Sequence, residues 1–96
     1  MLSLDKVQVK LKSMPGWRLE GNALKREFTF ASFADSMIFV NELGQAADDA
    51  NHYPSSIDIR GGQVIVSLVS PDGSLTEQDF ELAAQAQKLE VTVLGG

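Results

Sequence analysis

Gly61 and Gly62 stand between two runs rich in β-branched residues, Ser56–Arg60 and Gln63–Ser70. A two-residue glycine loop between such runs closes a tight antiparallel hairpin, because glycine reaches positive φ without steric cost. The loop also sets the register, pairing Arg60 with Gln63, Ile59 with Val64 and Ile57 with Val66. One face then carries Ile57, Ile59, Val64, Val66 and Leu68, an apolar surface that needs a cover. The other face still holds Ile65 and Val69, which read either as a patch closed by a second subunit or as two scattered exposed aliphatics.

The remaining segments supply that cover. Ser3–Met14 fits two patterns: Val7, Val9 and Leu11 alternate as in a strand, whereas Leu4, Val7 and Leu11 fall at helical spacing. A short amphipathic helix is the favoured reading, ended by Pro15-Gly16. Trp17–Glu20 and Ala23–Phe30, joined by Gly21-Asn22, read as a second hairpin with Phe28 and Phe30 on one side. Ser32 with Asp35 makes a capping-box start for a helix. Its expected apolar stripe is Phe33, Met37, Val40, Gly44 and Ala47, and Asp48, Asp49 and Asn51 mark its end. After the turn Pro71-Asp72-Gly73, Thr76 and Asp79 open a third helix, with Phe80, Ala83, Ala84, Ala86 and Leu89 inward. Residues 90–96, with Val91 and Val93 alternating, either add a strand or form a mobile tail. The order α-β-β-α-β-β-α implies an α+β fold: a four-stranded antiparallel sheet with helices packed on one face, in a single domain spanning 1–96.

Composition removes several functional classes. The 96 residues contain no cysteine, so disulfides, thiolate nucleophiles and zinc–thiolate sites are excluded. Thirteen acidic residues against eight basic ones give a net charge of −5, which leaves little to neutralise phosphates, so nucleic acid is not an expected partner. Lys6, Lys10 and Lys12 are read as a solvated helix face. Met1–Lys12 shows no continuous apolar stretch, so neither a signal peptide nor a membrane span is expected, and a cytoplasmic location fits.

Proton-transfer chemistry has one natural carrier. His52, in Asp48-x-x-x-His52-Tyr53-Pro54, is the chain's single histidine, the side chain type that ordinarily exchanges protons near neutrality. Asp48 and Asp49 are sequential, so on a helix their carboxylates point apart and read as a solvated face. No phosphate loop, nucleophile elbow or His-x-x-x-His metal pair is present, and neither a metal nor an organic cofactor is expected.

Gly16-Trp17, Phe28-x-Phe30, Phe33, the Asp48–Pro54 loop and the run Leu75–Ala83 together resemble the pterin-4a-carbinolamine dehydratase family over about Gly16–Leu89. The resemblance implies the same α-β-β-α-β-β-α fold. It also implies an activity: loss of water from 4a-hydroxytetrahydropterin to give quinonoid dihydropterin, with no metal or organic cofactor. One group takes the N5 proton while another protonates the departing hydroxyl. The family supplies two adjacent histidines before a proline, a third after the fourth strand, an acidic residue ahead of the pair and an aspartate in the last helix.

By that resemblance Asp48 matches the leading acidic position, His52 the first histidine, Pro54 the proline and Asp79 the late aspartate. Tyr53 replaces the second histidine, Ser70 stands at the third, and Arg60 occupies a position that is usually aromatic. A positioned acid or base contributes roughly 10²–10⁴-fold, so losing two imidazoles removes most of the acceleration. Tyrosine, with an ordinary pKa of roughly 10, is a poor replacement.

The chain therefore resembles non-catalytic members that assist assembly of ribulose bisphosphate carboxylase (Rubisco) in α-carboxysome bacteria. That implies a protein-binding assembly factor associated with the carboxysome, with Rubisco subunits as partners and a homodimer or tetramer as its own state. The alternatives are an active dehydratase in pterin recycling, with residual catalysis through His52, Asp48 and Asp79, and a dimerisation cofactor of a transcription factor.

Overall fold

A computed structural model describes residues 2–95. Its elements run α1 (Leu4–Leu11), β1 (Arg18–Glu20), β2 (Ala23–Thr29), α2 (Phe33–Ala50), β3 (Ser56–Arg60), β4 (Gln63–Leu68) and α3 (Glu77–Gly95). The four strands pair antiparallel in the order β1-β2-β4-β3. The α+β architecture and element order expected from the sequence are those observed.

The glycine loop behaves as its chemistry requires. Arg60 faces Gln63, Ile59 faces Val64 and Ile57 faces Val66. Gly61 has φ of 57°, and a Cβ on Gly62 would lie 2.5 Å from the Phe30 carbonyl oxygen. The Phe30 N–H donates to the Gly62 carbonyl at 2.7 Å, so the tip is held against the end of β2. Leu24, Phe28, Val64, Val66 and Leu68 point to the helix-covered face and are wholly buried. The opposite face presents Glu27, Gln63 and Asp58, with Ile65 half-buried between Glu27 and Asp58 on its two neighbours. Val69 packs against the core and does not share Ile65's open surroundings.

α2 starts at the expected cap, where Ser32 Oγ accepts from the Asp35 N–H at 3.1 Å. Its buried stripe is Ser36, Phe39, Leu43 and Ala47. This corrects the expected stripe: Phe33 is 58% exposed, and Gly44 also faces outward. Ser36 fits the inner face because its hydroxyl donates to the Gly61 carbonyl at 2.8 Å, which satisfies a polar group in an apolar layer.

The chain's end also differs from expectation. Residues expected to form a strand or a loose tail continue α3 to Gly95, and Gly96 lies outside the described residues. Leu89 and Val93, one turn apart, pack against the core. Beside them Arg26 Nη2 donates to Glu90 Oε1 at 2.8 Å, in a pair with side chains only 15% and 16% exposed. Arg26 shares the covered side of β2 with Leu24 and Phe28, and its guanidinium lies 4.5 Å over the Phe28 ring. Gly16, at φ of 86°, gives it room, since a Cβ there would stand 2.7 Å from Arg26 Nε.

Candidate functional site

Helix α2 ends in a left-handed residue, Asn51, at φ of 52°. The backbone N–H groups of Asn51 and His52 both return to the Ala47 carbonyl, which satisfies orphan helix carbonyls and reverses the chain. That reversal turns His52 inward, where it is 7% exposed. Its Nε2 lies 2.6 Å from Asp79 Oδ1, a contact slightly shorter than the usual charge-assisted N–H···O bond.

Asp79 belongs to the first turn of α3 and is completely buried. Its other oxygen, Oδ2, accepts from the Thr76 N–H at 3.0 Å and from Ser70 Oγ at 2.8 Å. The Thr76 amide is an obligate donor just ahead of the helix, so Asp79 caps α3 in the manner its spacing from Thr76 implied. One carboxylate thus joins the loop after α2, the end of β4 and the start of α3. With Oδ2 occupied by donors, Oδ1 is the carboxylate oxygen left to accept from His52 in the tautomer that carries its proton on Nε2.

A pocket of about 430 Å³ opens beside this network. His52, Tyr53, Pro54, Val69 and Ser70 line it, together with the Pro71–Gly73 turn. The three positions 52, 53 and 70 therefore meet at one cavity, although Tyr53 is 54% exposed. Asp48 and Arg60 are not brought there. Asp48 lies exposed in the last turn of α2, and Arg60 reaches into solvent toward Asp58 Oδ2 at 3.2 Å. Among the described residues, no group of three histidine, aspartate or glutamate side chains could hold a metal ion, and no helix is long and apolar enough to cross a membrane.

Sequence reasoning did not single out Thr76 or Val69 as part of this site. Thr76 was legible as a helix start, and its use of the Asp79 carboxylate follows from that. Val69 gave only an apolar signal, and its place on the pocket wall depends on how β4 runs out into the turn.

Two kinds of likeness bear on this arrangement. A protein of Acidobacterium capsulatum named "Putative pterin-4-alpha-carbinolamine dehydratase" is 40% identical over 84 residues, covering 86% of this chain and 90% of its own. One of the same name from Thermosynechococcus vestitus is 36% identical over 91 residues, covering 94% and 95%. Among solved structures, a transcriptional coactivator/pterin dehydratase from Brucella melitensis shares the fold, with a TM-score of 0.88 at 22% identity over 93% of this chain and 97% of its own. A pterin dehydratase-like protein identified as a RuBisCO assembly factor in the alpha-carboxysome superposes with a TM-score of 0.69 at 25% identity, covering 78% and 89%. The family model described as pterin 4 alpha carbinolamine dehydratase matches residues 1–89. With that match across nearly its whole length, the chain belongs to the pterin 4 alpha carbinolamine dehydratase family.

Proposed function

We propose that this protein is a non-catalytic member of the family that acts by binding another protein, as an assembly factor in the cytoplasm. One observation carries the reading: the pocket offers a single imidazole, because Tyr53 and Ser70 stand where the resemblance places the other two. Ser70 has no hydroxyl hydrogen to spare, since it donates to Asp79. Tyr53 is half out in solvent, where a phenol is neither a strong acid nor a base at neutral pH. Dehydration needs one group to accept a proton and another to give one, and a lone histidine cannot fill both posts in a concerted step. The likeness to a pterin dehydratase-like assembly factor makes Rubisco subunits the first candidate partners and the carboxysome the first place to look. A homodimer or tetramer is the expected state, and 1–96 is read as one domain.

The experiment is the dehydration rate of 4a-hydroxytetrahydropterin with purified protein, set against the spontaneous reaction, followed by pull-down with Rubisco subunits. A rate within a few-fold of background, with stoichiometric capture, supports the proposal. A rate hundreds of times background ends it.

A second reading has its own observation. The 2.6 Å contact between His52 and buried Asp79 is a positioned base–carboxylate pair at a pocket of a size that suits a bicyclic ligand. On this reading the protein is a slow dehydratase in which His52 moves the proton and Asp79 orients the ring, while Asp48, exposed and away from the pocket, has no part. His52→Ala then abolishes turnover, whereas an assembly factor keeps its partner binding.

A further inference from the structure

The turn that follows β4 is a partition between two cavities. On one side Pro71 and Gly73 help to wall the His52 pocket. On the other lies a hollow of about 260 Å³, lined by Leu2, Leu4, Leu19 and Leu75 together with Asn22 and Gly73. Gly73 borders both, so at that point the partition is one residue thick.

Most hydrogen bonds of this turn are internal to it. The Gly73 N–H donates to the Ser70 carbonyl at 2.8 Å, and the Ser70 N–H to the Ser74 carbonyl at 2.9 Å. The amide and hydroxyl of Ser74 both donate to Asp72 Oδ1. These bonds shape the loop and travel with it. Its two ends are anchored, by Ser70 on Asp79 and by the Leu2 N–H on the Leu75 carbonyl. Among the described residues, one side chain reaches the tip from elsewhere in the fold. Asn22, exposed in the β1–β2 turn and 51 residues away, donates from Nδ2 to the Gly73 carbonyl at 2.9 Å.

Gly73 suits this contact. Its φ of 83° is a conformation that side-chain-bearing residues avoid, and a Cβ there would stand 3.4 Å from Asn22 Nδ2. A single neutral hydrogen bond at the surface holds a turn in place for most of the time and lets it open locally without unfolding the rest. We propose that Asn22 is a positioning residue for the His52 pocket. It does not line the pocket, and it acts through Gly73, latching the Pro71–Ser74 turn as a strap across one wall. The latch sets how freely a solute reaches His52, which is 7% exposed with the strap in place. This concerns access alone and goes beyond both readings of the pocket, since a strap serves a binding site and a catalytic one alike.

The chain's single histidine makes access measurable. Diethyl pyrocarbonate acylates an unprotonated imidazole nitrogen, and peptide mass spectrometry follows the reaction at His52 in the full chain at fixed pH. Asn22→Ala removes the latch and should speed this modification roughly threefold to tenfold, the equilibrium worth of one neutral hydrogen bond. Asn22→Asp keeps the shape of the side chain but has no N–H to give, so it should speed the reaction at least as much. Ser36→Ala breaks a hydrogen bond at the other end of the sheet, to the Gly61 carbonyl, and loosens the fold without touching the strap. It should leave the rate as in wild type. An unchanged rate in Asn22→Ala overturns the proposal, because the wall then stands without its latch. A wild-type rate in Asn22→Asp overturns it too, since shape and not the donated hydrogen would be what matters. Equal acceleration by Ser36→Ala would assign the effect to general loosening and overturn it as well.

Discussion

His52 and Asp79, 27 residues apart in sequence, meet at 2.6 Å through Nε2 and Oδ1, with the carboxylate wholly shut off from solvent. Asp79 also holds Ser70 and the Thr76 amide, so removing it strands several polar groups at once. Asp79→Ala should destabilise the protein by about 3–5 kcal/mol, the range for breaking a buried charged contact from one side. Denaturant unfolding measures this. A loss below about 1 kcal/mol would mean that the network adds little to stability.

Placing imidazoles at the two positions where the resemblance puts them tests the proposed assignment of the pocket. Tyr53→His is made at a half-exposed position and should leave stability within about 0.5 kcal/mol. Combined with Ser70→His, it should raise the dehydration rate by about 10² or more, the low end for one positioned acid or base. The double variant's rate against wild type and against background is the measurement. An unchanged rate in a folded double variant would show that positions 53 and 70 do not complete a catalytic set.

The Arg26–Glu90 pair fastens the last turns of α3 to the sheet. Arg26 Nη1 is buried and has no hydrogen-bond partner among the described residues, so Glu90→Ala would leave the whole guanidinium without its counter-charge. We expect a loss of about 3 kcal/mol together with faster amide exchange over residues 90–95. Exchange confined to wild-type rates there would show that Leu89 and Val93 hold the turn unaided.

Asp72, in the turn at the pocket's edge, is held below its ordinary value near 3.8 by the hydroxyl and then the amide of Ser74. Because the folded value is the lower one, the contribution is complete above about 3.8 and is lost as pH falls through the folded value. Ser74→Ala should therefore move the Asp72 titration upward, toward the ordinary value, as followed by carboxyl-carbon NMR. A downward or absent shift would contradict the hydroxyl's role.

What the sequence could and could not reveal follows from the range of the forces involved. Gly61-Gly62 and the Ser32 cap act over a few residues, and both the β3–β4 register and the start of α2 follow from them. The phase of α2's buried stripe was misread because Ser36 looks like a surface residue. Its inward position depends on a carbonyl of the β3–β4 turn, which is not a local property. The end of α3 was misread for a similar reason: Val91 and Val93 alternate as in a strand, but Arg26, from a distant strand, supplies the charge that Glu90 needs. The family resemblance singled out His52, Tyr53, Ser70 and Asp79, and the fold brings these four together. The geometry of the site was not legible, since only the folded chain puts the end of α2 beside the start of α3.

Asp79 also bears on how relatives of this chain should be judged. The residue that orients the histidine is the same one that starts a nineteen-residue helix. Selection for folding alone will therefore keep it, whatever becomes of the reaction. An aspartate at this place in a genome is evidence of an intact helix start and carries little information about turnover. On the proposed reading, positions 53 and 70 are the ones that bear on activity, because the fold makes no such demand for an imidazole there.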